Sequence, residues 1–288
     1  MPVIRIFDPK GPHIAAAVMA VTLSKAAEPV EASPKSPKRD RAERTRPNNP
    51  SRLTVNQHVF PLKTMERFAR DGCVSVHILA RHEVRSVKPS NALFCARRAW
   101  DQRAESGYMK QIEDRFQAIV TPIVAKQAGE VTAEQKGAID KMYALWYMRA
   151  RYRELDEQEV QLREVDAHLL TKEQEENLEK NGYMFARGGG KMPTRQLNGL
   201  ALEMRINKYA LQLATGVTRW GVISPQSGEF IVPDVPLHTV LPLAPTLALV
   251  ASAPDGVIVE QNLAEVNQAM RVASREYFFA RDLSKCPM

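Results

Sequence analysis

The spacing of apolar residues changes twice along this chain, and these changes constrain its fold class. Residues 73–79 alternate between apolar and polar types, which is typical of a half-buried strand. The stretch 108–126 instead carries its apolar residues at helical spacing, which predicts an amphipathic helix. Short strand-like segments return over 217–251. We therefore expect an α+β fold that is mostly α-helical, with a small antiparallel β-sheet made from an N-terminal hairpin and the 217–251 strands.

Several helix boundaries can be predicted from local sequence. Residues 132–135 and 171–174 each fit a capping box, in which a Thr and a Gln side chain satisfy backbone N–H groups at the start of a helix. A further amphipathic helix is predicted over 194–213, and a last helix over about 262–281.

The strand-rich block is predicted to contain a hairpin. Residues 217–223 and 229–232 are strand-like and flank a five-residue loop. Two further short strands are predicted over 238–243 and 246–251. Prolines in these segments place them at a sheet edge or at bulges.

The N-terminal region has a different composition from the rest of the chain. Residues 24–52 contain five prolines and few large apolar groups, so they bury too little surface to offset the entropy of ordering them. Residues 1–52 hold ten of the 40 Lys and Arg but only five of the 33 Asp and Glu, and so carry five of the seven net positive charges. We predict a disordered basic arm over 1–52 and a single α+β domain over 53–288.

Two roles remain open for this arm. It is either a solubilising tether or a contact for nucleic acid or another acidic partner. The residues that would make such a contact are Lys35, Lys38, Arg39, Arg41, Arg44 and Arg46.

The cysteine content indicates a reducing compartment. The three cysteines are odd in number and show no zinc-ligand spacing, so we expect free thiols in a cytoplasmic protein. The apolar run 14–23 is too short to span a bilayer, and we predict no membrane partner. It fits the core of a secretory signal, a short helix that docks on a partner, or unstructured chain.

One glycine-rich segment has the composition of a phosphate-binding loop. Residues 187–191 read Arg-Gly-Gly-Gly-Lys, but Met192 and Pro193 stand where a phosphate loop has Ser or Thr. A flexible loop between helices is therefore the predicted structure.

Three individual positions suggest chemistry. His58 is a candidate general base or metal ligand, although a His beside apolar residues is more often a hydrogen-bonded core residue. Asp234 ends a predicted strand, where a carboxylate serves either an active site or a turn. Glu113 and Asp114 point to different faces of a helix, so we expect one of them to face a buried basic partner such as Arg149.

Several short motifs also follow one another in an order found in a known bacterial family. They are Gln57-His58, Phe60-Pro61-Leu62, Phe68-Ala69, Asp71-Gly72, the Val74-Ser-Val-His strand, Ile112-Glu113-Asp114, Trp220, Phe230-Ile-Val-Pro-Asp234 and Leu241-Pro-Leu-Ala-Pro-Thr-Leu-Ala-Leu249. In this order they resemble the domain-of-unknown-function family 4238 over roughly residues 55–281. Val59 and Val235 depart from its pattern, where an aromatic residue and Asn are usual.

The resemblance implies one shared polar site. The family's recurrent polar positions correspond to His58, Glu113, Arg149 and Asp234. Together they suit acid–base hydrolysis of an anionic substrate, with His58 or Glu113 as base, Arg149 as phosphate clamp and a divalent metal as a possible cofactor. The alternative is a buried network that ties helices to a sheet.

The sequence thus supports two functions. The favoured one is a non-catalytic intracellular binding or sensor module, possibly of a defence or mobile-element system, because no motif is specific enough to identify an enzyme. The other is a nuclease-like hydrolase that acts on a phosphate-bearing substrate.

Overall fold

A computed structural model describes residues 43–126, 129–154, 159–165, 167–236 and 238–288. The apolar run 14–23 and the basic residues Lys35, Lys38, Arg39 and Arg41 lie outside these ranges. No helix among the described residues has both the length and the hydropathy needed to cross a bilayer.

The described chain contains six α-helices, one π-helical turn and three short 3-10 helices, the last at Leu79–Arg81, Ala92–Phe94 and Leu283–Lys285. In chain order, the α-helices and the π-helical turn are α1 (Leu62–Glu66), the π-helical turn (Ala104–Met109), α2 (Lys110–Val124), α3 (Ala133–Arg151), α4 (Lys172–Lys180), α5 (Thr194–Gly216) and α6 (Glu260–Ala273). Thr132 and Thr171 form capping boxes at the starts of α3 and α4, which confirms both predictions. Helix α3 packs against α2 and α5 and is buried on most sides.

Twelve strands are found in the described residues. They are β1 (Asn56–His58), β2 (Val74–Ile78), β3 (Glu83–Val87), β4 (Cys95–Arg97), β5 (Glu159–Gln161), β6 (Lys191–Pro193), β7 (Trp220–Pro225), β8 (Val232–Pro233), β9 (Val240–Ala244), β10 (Leu247–Ala251), β11 (Gly256–Ile258) and β12 (Tyr277–Ala280). Two four-stranded sheets have the orders β11-β7-β10-β9 and β3-β2-β12-β8, and β1-β4 and β5-β6 form two-stranded sheets. All pairs are antiparallel except β7-β11.

Strand β12 separates two apolar cores. Tyr277 and Phe279 face the larger core, which also contains side chains of α1, α2, α3 and α5. Phe278 and Ala280 face the smaller core, which lies against α6. Because successive strand residues point to opposite sides, one short strand serves both cores.

The α+β class with mixed helices and antiparallel sheets is confirmed, but the prediction of a single small sheet is wrong. The N-terminal hairpin β2-β3 pairs with β12, whereas the strands of the 217–251 region that pair with one another form a separate sheet. Residues 262–281 are also not one helix, since α6 ends at Ala273 and β12 follows. A run of aromatic residues buried on both faces has no strand periodicity, so its spacing does not distinguish strand from helix.

The hairpin predicted over 217–232 is also wrong. Strand β7 pairs with β10 and β11, whereas β8 pairs with β12 in the other sheet. The N–H groups of the intervening residues have other partners: that of Phe230 donates to the Pro245 carbonyl (2.8 Å), and that of Ile231 to the Asn267 side chain (3.1 Å). These bonds draw the chain away from β7.

Residues 43–52 belong to the folded region, although the sequence assigned them to the disordered arm. The Arg46 N–H donates to Glu176 Oε1 (2.6 Å), and the Asn49 side chain bonds both the N–H (3.0 Å) and the carbonyl (2.8 Å) of Leu53. Composition alone gave no sign that these polar groups have partners on the domain.

Candidate functional site

Arg149 forms the centre of the main polar cluster. It lies in the last turn of α3 and its side chain is only 1% exposed. Its Nη1 donates to Glu113 Oε1 and its Nη2 to Glu105 Oε2 (3.2 Å). The guanidinium lies 5.6 Å from the centre of the Trp100 ring. We call His58, Trp100, Glu105, Glu113 and Arg149 the Arg149 cluster.

The two carboxylates come from adjoining helical segments. Glu105 lies in the π-helical turn and Glu113 in the first turn of α2. Glu105 Oε2 also accepts the Trp100 indole N–H at 2.6 Å. The side chains of Glu105 and Glu113 are 16% and 27% exposed, so solvent reaches the cluster from the carboxylate side.

Glu113 confirms the expectation that one of two neighbouring carboxylates faces Arg149. Asp114 points elsewhere and forms an exposed ion pair with Lys110 at 2.6 Å. Glu105 was missed by the sequence analysis. An α-helical repeat would place it about 80° around the axis from Glu113. The wider π-helical turn changes that phase, and such turns are frequent at functional sites.

His58 lies beside these charged groups. It ends β1, opposite Cys95 of β4, and its Nε2 is 3.2 Å from the Pro89 carbonyl oxygen. Burial is the main cause that lowers its pKa, and Glu113 and Arg149 are close enough to act on it electrostatically. His58 is therefore neutral at pH 7. With a proton on Nε2, the ring donates to Pro89 and Nδ1 is the basic nitrogen.

Asp234 is not part of this cluster. One carboxylate oxygen accepts the N–H of Arg275 (2.9 Å), and the other accepts that of Glu276 (2.8 Å). Burial raises the pKa of Asp234, and the nearest basic group that acts on it is Arg153. The structure thus brings together three of the four predicted site residues. It gives Asp234 the alternative role of binding backbone in a turn, because both its oxygens are occupied.

This assignment predicts the effect of changing Asp234. Replacement by Ala leaves two backbone N–H groups without acceptors, so we expect a loss of about 2–3 kcal/mol in the free energy of unfolding. Asn retains one acceptor oxygen, so its effect should be smaller. Urea denaturation followed by circular dichroism measures both. Asp114→Ala, at an exposed ion pair, is the control and should cost about 0.5 kcal/mol or less. An unchanged stability in Asp234→Ala would show that the two bonds do not hold this turn.

Of the six arm residues predicted to contact nucleic acid, the structure describes Arg44 and Arg46, and these two differ in their surroundings. Arg44 is exposed. Arg46 forms ion pairs with Glu176 (3.0 Å) and Glu173 (3.1 Å), so its guanidinium is engaged within the chain. Its predicted contact with nucleic acid would therefore compete with these ion pairs, and it stays a prediction. Both ion-pair partners of Arg46 are carboxylates of α4.

The glycine-rich segment lies between helices α4 and α5, as predicted, in a turn that leads into β6. Gly189 and Gly190, both with φ of +73°, lie in the turn between Arg187 and Lys191, which pair as an isolated antiparallel bridge. A Cβ on Gly190 would lie 2.7 Å from the Val165 carbonyl oxygen, so this position requires glycine.

Two other features bear on possible ligands. Among the residues that the structure describes, no three His, Cys, Asp or Glu side chains are grouped so that they could hold a metal ion. A cavity of about 470 Å³ is lined by Glu229, Glu260, Arg281 and Lys285 among others. None of its lining residues belongs to the Arg149 cluster.

Comparisons with protein-family models, curated proteins and solved structures found no match to this chain. The resemblance to family 4238 therefore stays a prediction.

Proposed function

We propose that this chain is a non-catalytic binding module, and that the Arg149 cluster is a structural brace within it. The supporting observation is the state of Arg149. Its two terminal nitrogens already donate to Glu113 and Glu105, and its side chain is almost fully buried. A phosphate clamp needs N–H groups that can reach the substrate. Removing one partner of a buried ion pair costs about 3–5 kcal/mol, so a substrate would have to offset that loss before it bound.

The proposed partner is nucleic acid or another acidic molecule in the cytoplasm, contacted through the basic arm. Four of the predicted contact residues, Lys35, Lys38, Arg39 and Arg41, precede the described chain in sequence. Arg44 is exposed close to where the described residues begin. Binding by such an arm is dominated by phosphate charge and weakens steeply with salt.

This proposal predicts a specific salt-dependent loss of binding. The full chain and a variant with Gln at Lys35, Lys38, Arg39 and Arg41 are titrated with labelled RNA and with single- and double-stranded DNA. The variant should bind about tenfold or more weakly at low salt, with a shallower dependence of log K on log salt. The control carries the same charge change at four exposed sites, Lys63, Lys88, Arg115 and Lys208. Equal losses in both variants, or no binding by the unaltered chain, would contradict the proposal.

The hydrolase remains the second candidate because of one observation. His58 and Glu113 are both partly exposed, and the carboxylate of Glu113 is close enough to act electrostatically on His58. The π-helical turn lies beside them. If the protein is a hydrolase, His58 Nδ1 acts as the base, and Glu113 polarises the His58 ring or the attacking water. The same nucleic acids, incubated with Mg²⁺ or Mn²⁺ and without either, test it. Cleavage by the unaltered chain that is lost in His58→Ala would favour the hydrolase over the binding module.

A further inference from the structure

The carboxylate of Glu43 is held by three basic side chains of the folded domain. Lys172, the first residue of α4, and Arg187 both donate to Oε1, and Arg195 in the first turn of α5 donates to Oε2. The Arg195 side chain is only 6% exposed. Although burial alone would raise the pKa of Glu43, these three cations lower it to about 2. The domain therefore contains a built binding position for one carboxylate.

Without Glu43, the cations around this position outnumber the carboxylates. Arg187 also pairs with Glu175 and Glu159, both at 2.7 Å. Arg195 (2.7 Å) and Arg98 (2.8 Å) share Glu179. Five cations thus face three carboxylates, Glu159, Glu175 and Glu179; the cations are Arg98, Lys172, Arg187, Arg195 and Lys191, which lies 3.8 Å from Glu159. Glu43 supplies the fourth negative charge, so a monovalent acidic group fits the site better than an uncharged one.

The same surface also contacts the backbone of residues 43–46 and a second side chain from this segment. Arg98 Nη1 donates to the Glu43 carbonyl oxygen at 3.2 Å. Three residues later, Glu176 accepts both the backbone N–H (2.6 Å) and Nε (3.0 Å) of Arg46. Arg44, between them, is exposed. The contacts therefore select a Glu at the first position and an Arg at the fourth. The residue directly after the Glu is not selected, because Arg44 is exposed there.

We propose that the face formed by α4, the paired strands β5 and β6 and the start of α5 is a peptide-recognition site for segments with the sequence Glu-Xaa-Xaa-Arg. In this structure residues 43–46 of the chain itself occupy it. A partner peptide of this pattern binds where these residues now lie, and it must displace them first. Because the segment is tethered, its effective concentration is high and the site is self-occupied until a competitor is abundant. This site does not depend on nucleic-acid binding by the arm.

Competition on the unaltered full chain tests the proposal. The probe is a synthetic peptide of residues 40–52 that carries Arg44→Ala and so lacks the cleavable bond after residue 44. While the segment is docked, contacts of Glu43 and Arg46 hold the chain on both sides of Arg44, so we expect trypsin to cleave after Arg44 slowly until the segment leaves the surface. Excess peptide should therefore accelerate cleavage at Arg44 about tenfold or more, because it displaces the segment from the site. A peptide that also carries Glu43→Gln and Arg46→Gln is the matched control and should have no effect.

A second measurement uses a full-chain variant, Glu43→Ala with Arg46→Ala, whose segment no longer fits the site. We expect this variant to bind the fluorescently labelled Arg44→Ala peptide about tenfold or more tightly than the unaltered chain does. Failure of the peptide to accelerate cleavage of the unaltered chain overturns the proposal, whether or not the variant folds. Equal acceleration by the control peptide overturns it too, since the effect would then not depend on Glu43 and Arg46.

Discussion

We expect Arg149→Ala to lower the free energy of unfolding by about 3–5 kcal/mol, among the largest effects of any single substitution in this chain. The change leaves Glu105 and Glu113 without their shared cation and opens a cavity beside Trp100. Both carboxylates are partly buried, so water replaces the lost bonds only in part. Urea denaturation monitored by circular dichroism measures the loss.

Arg151→Ala is the matched control, since it removes an arginine from the same turn of α3 at an exposed position. It should change stability by about 0.5 kcal/mol or less. A variant with Met at Arg149 and Gln at both Glu105 and Glu113 removes all three charges and should recover much of the stability. If Arg149→Ala itself costs less than about 1 kcal/mol, the cluster is not a structural brace, and a functional role for its residues becomes the better explanation.

Phe279→Ala should cost about 3–5 kcal/mol for a different reason. This residue of β12 is 1% exposed and lies at the centre of an aromatic group in the larger core. Its ring centre is 5.5 Å from that of Phe94, 5.8 Å from Phe68 and 6.3 Å from Phe60. Truncation to Ala removes these contacts and leaves a cavity that a packed interior closes only partly.

Thermal and urea unfolding measure this effect, and Phe279→Leu should recover part of the loss because Leu fills more of the cavity. Val272→Ala, at a site 72% exposed on α6, is the control and should be close to neutral. A similar small effect for Phe279→Ala would mean that the aromatic residues around it do not form one packed unit.

The features that the sequence predicted well are local ones. Both capping boxes, the strand around Val76 and the helix through Leu145 depend on residues a few positions apart, and all are present. Helical spacing also predicted that Glu113 and Asp114 lie on different faces, and Glu113 is the one that faces Arg149. Local spacing determines such features whatever the rest of the chain does.

The features that the sequence did not predict depend on distant partners. Nothing in the residues around Val232 shows that β8 pairs with β12 rather than with β7. Glu105 joins the Arg149 cluster only because a π-helical turn rotates it, and no residue pattern indicated that turn. The sequence could not decide between an active-site role and a turn role for Asp234, because its two backbone donors lie some forty positions away in sequence.

The position of β12 in its sheet affects how fast this chain can fold. Its partner β2 lies about 200 residues earlier, since Ala280 is paired with Ser75. Neither core is complete until these two segments meet, because alternate residues of β12 belong to different cores. Closing so long a loop costs chain entropy before any contact compensates for it. We therefore expect β12 to pair with β2 after local structure such as the helices has formed.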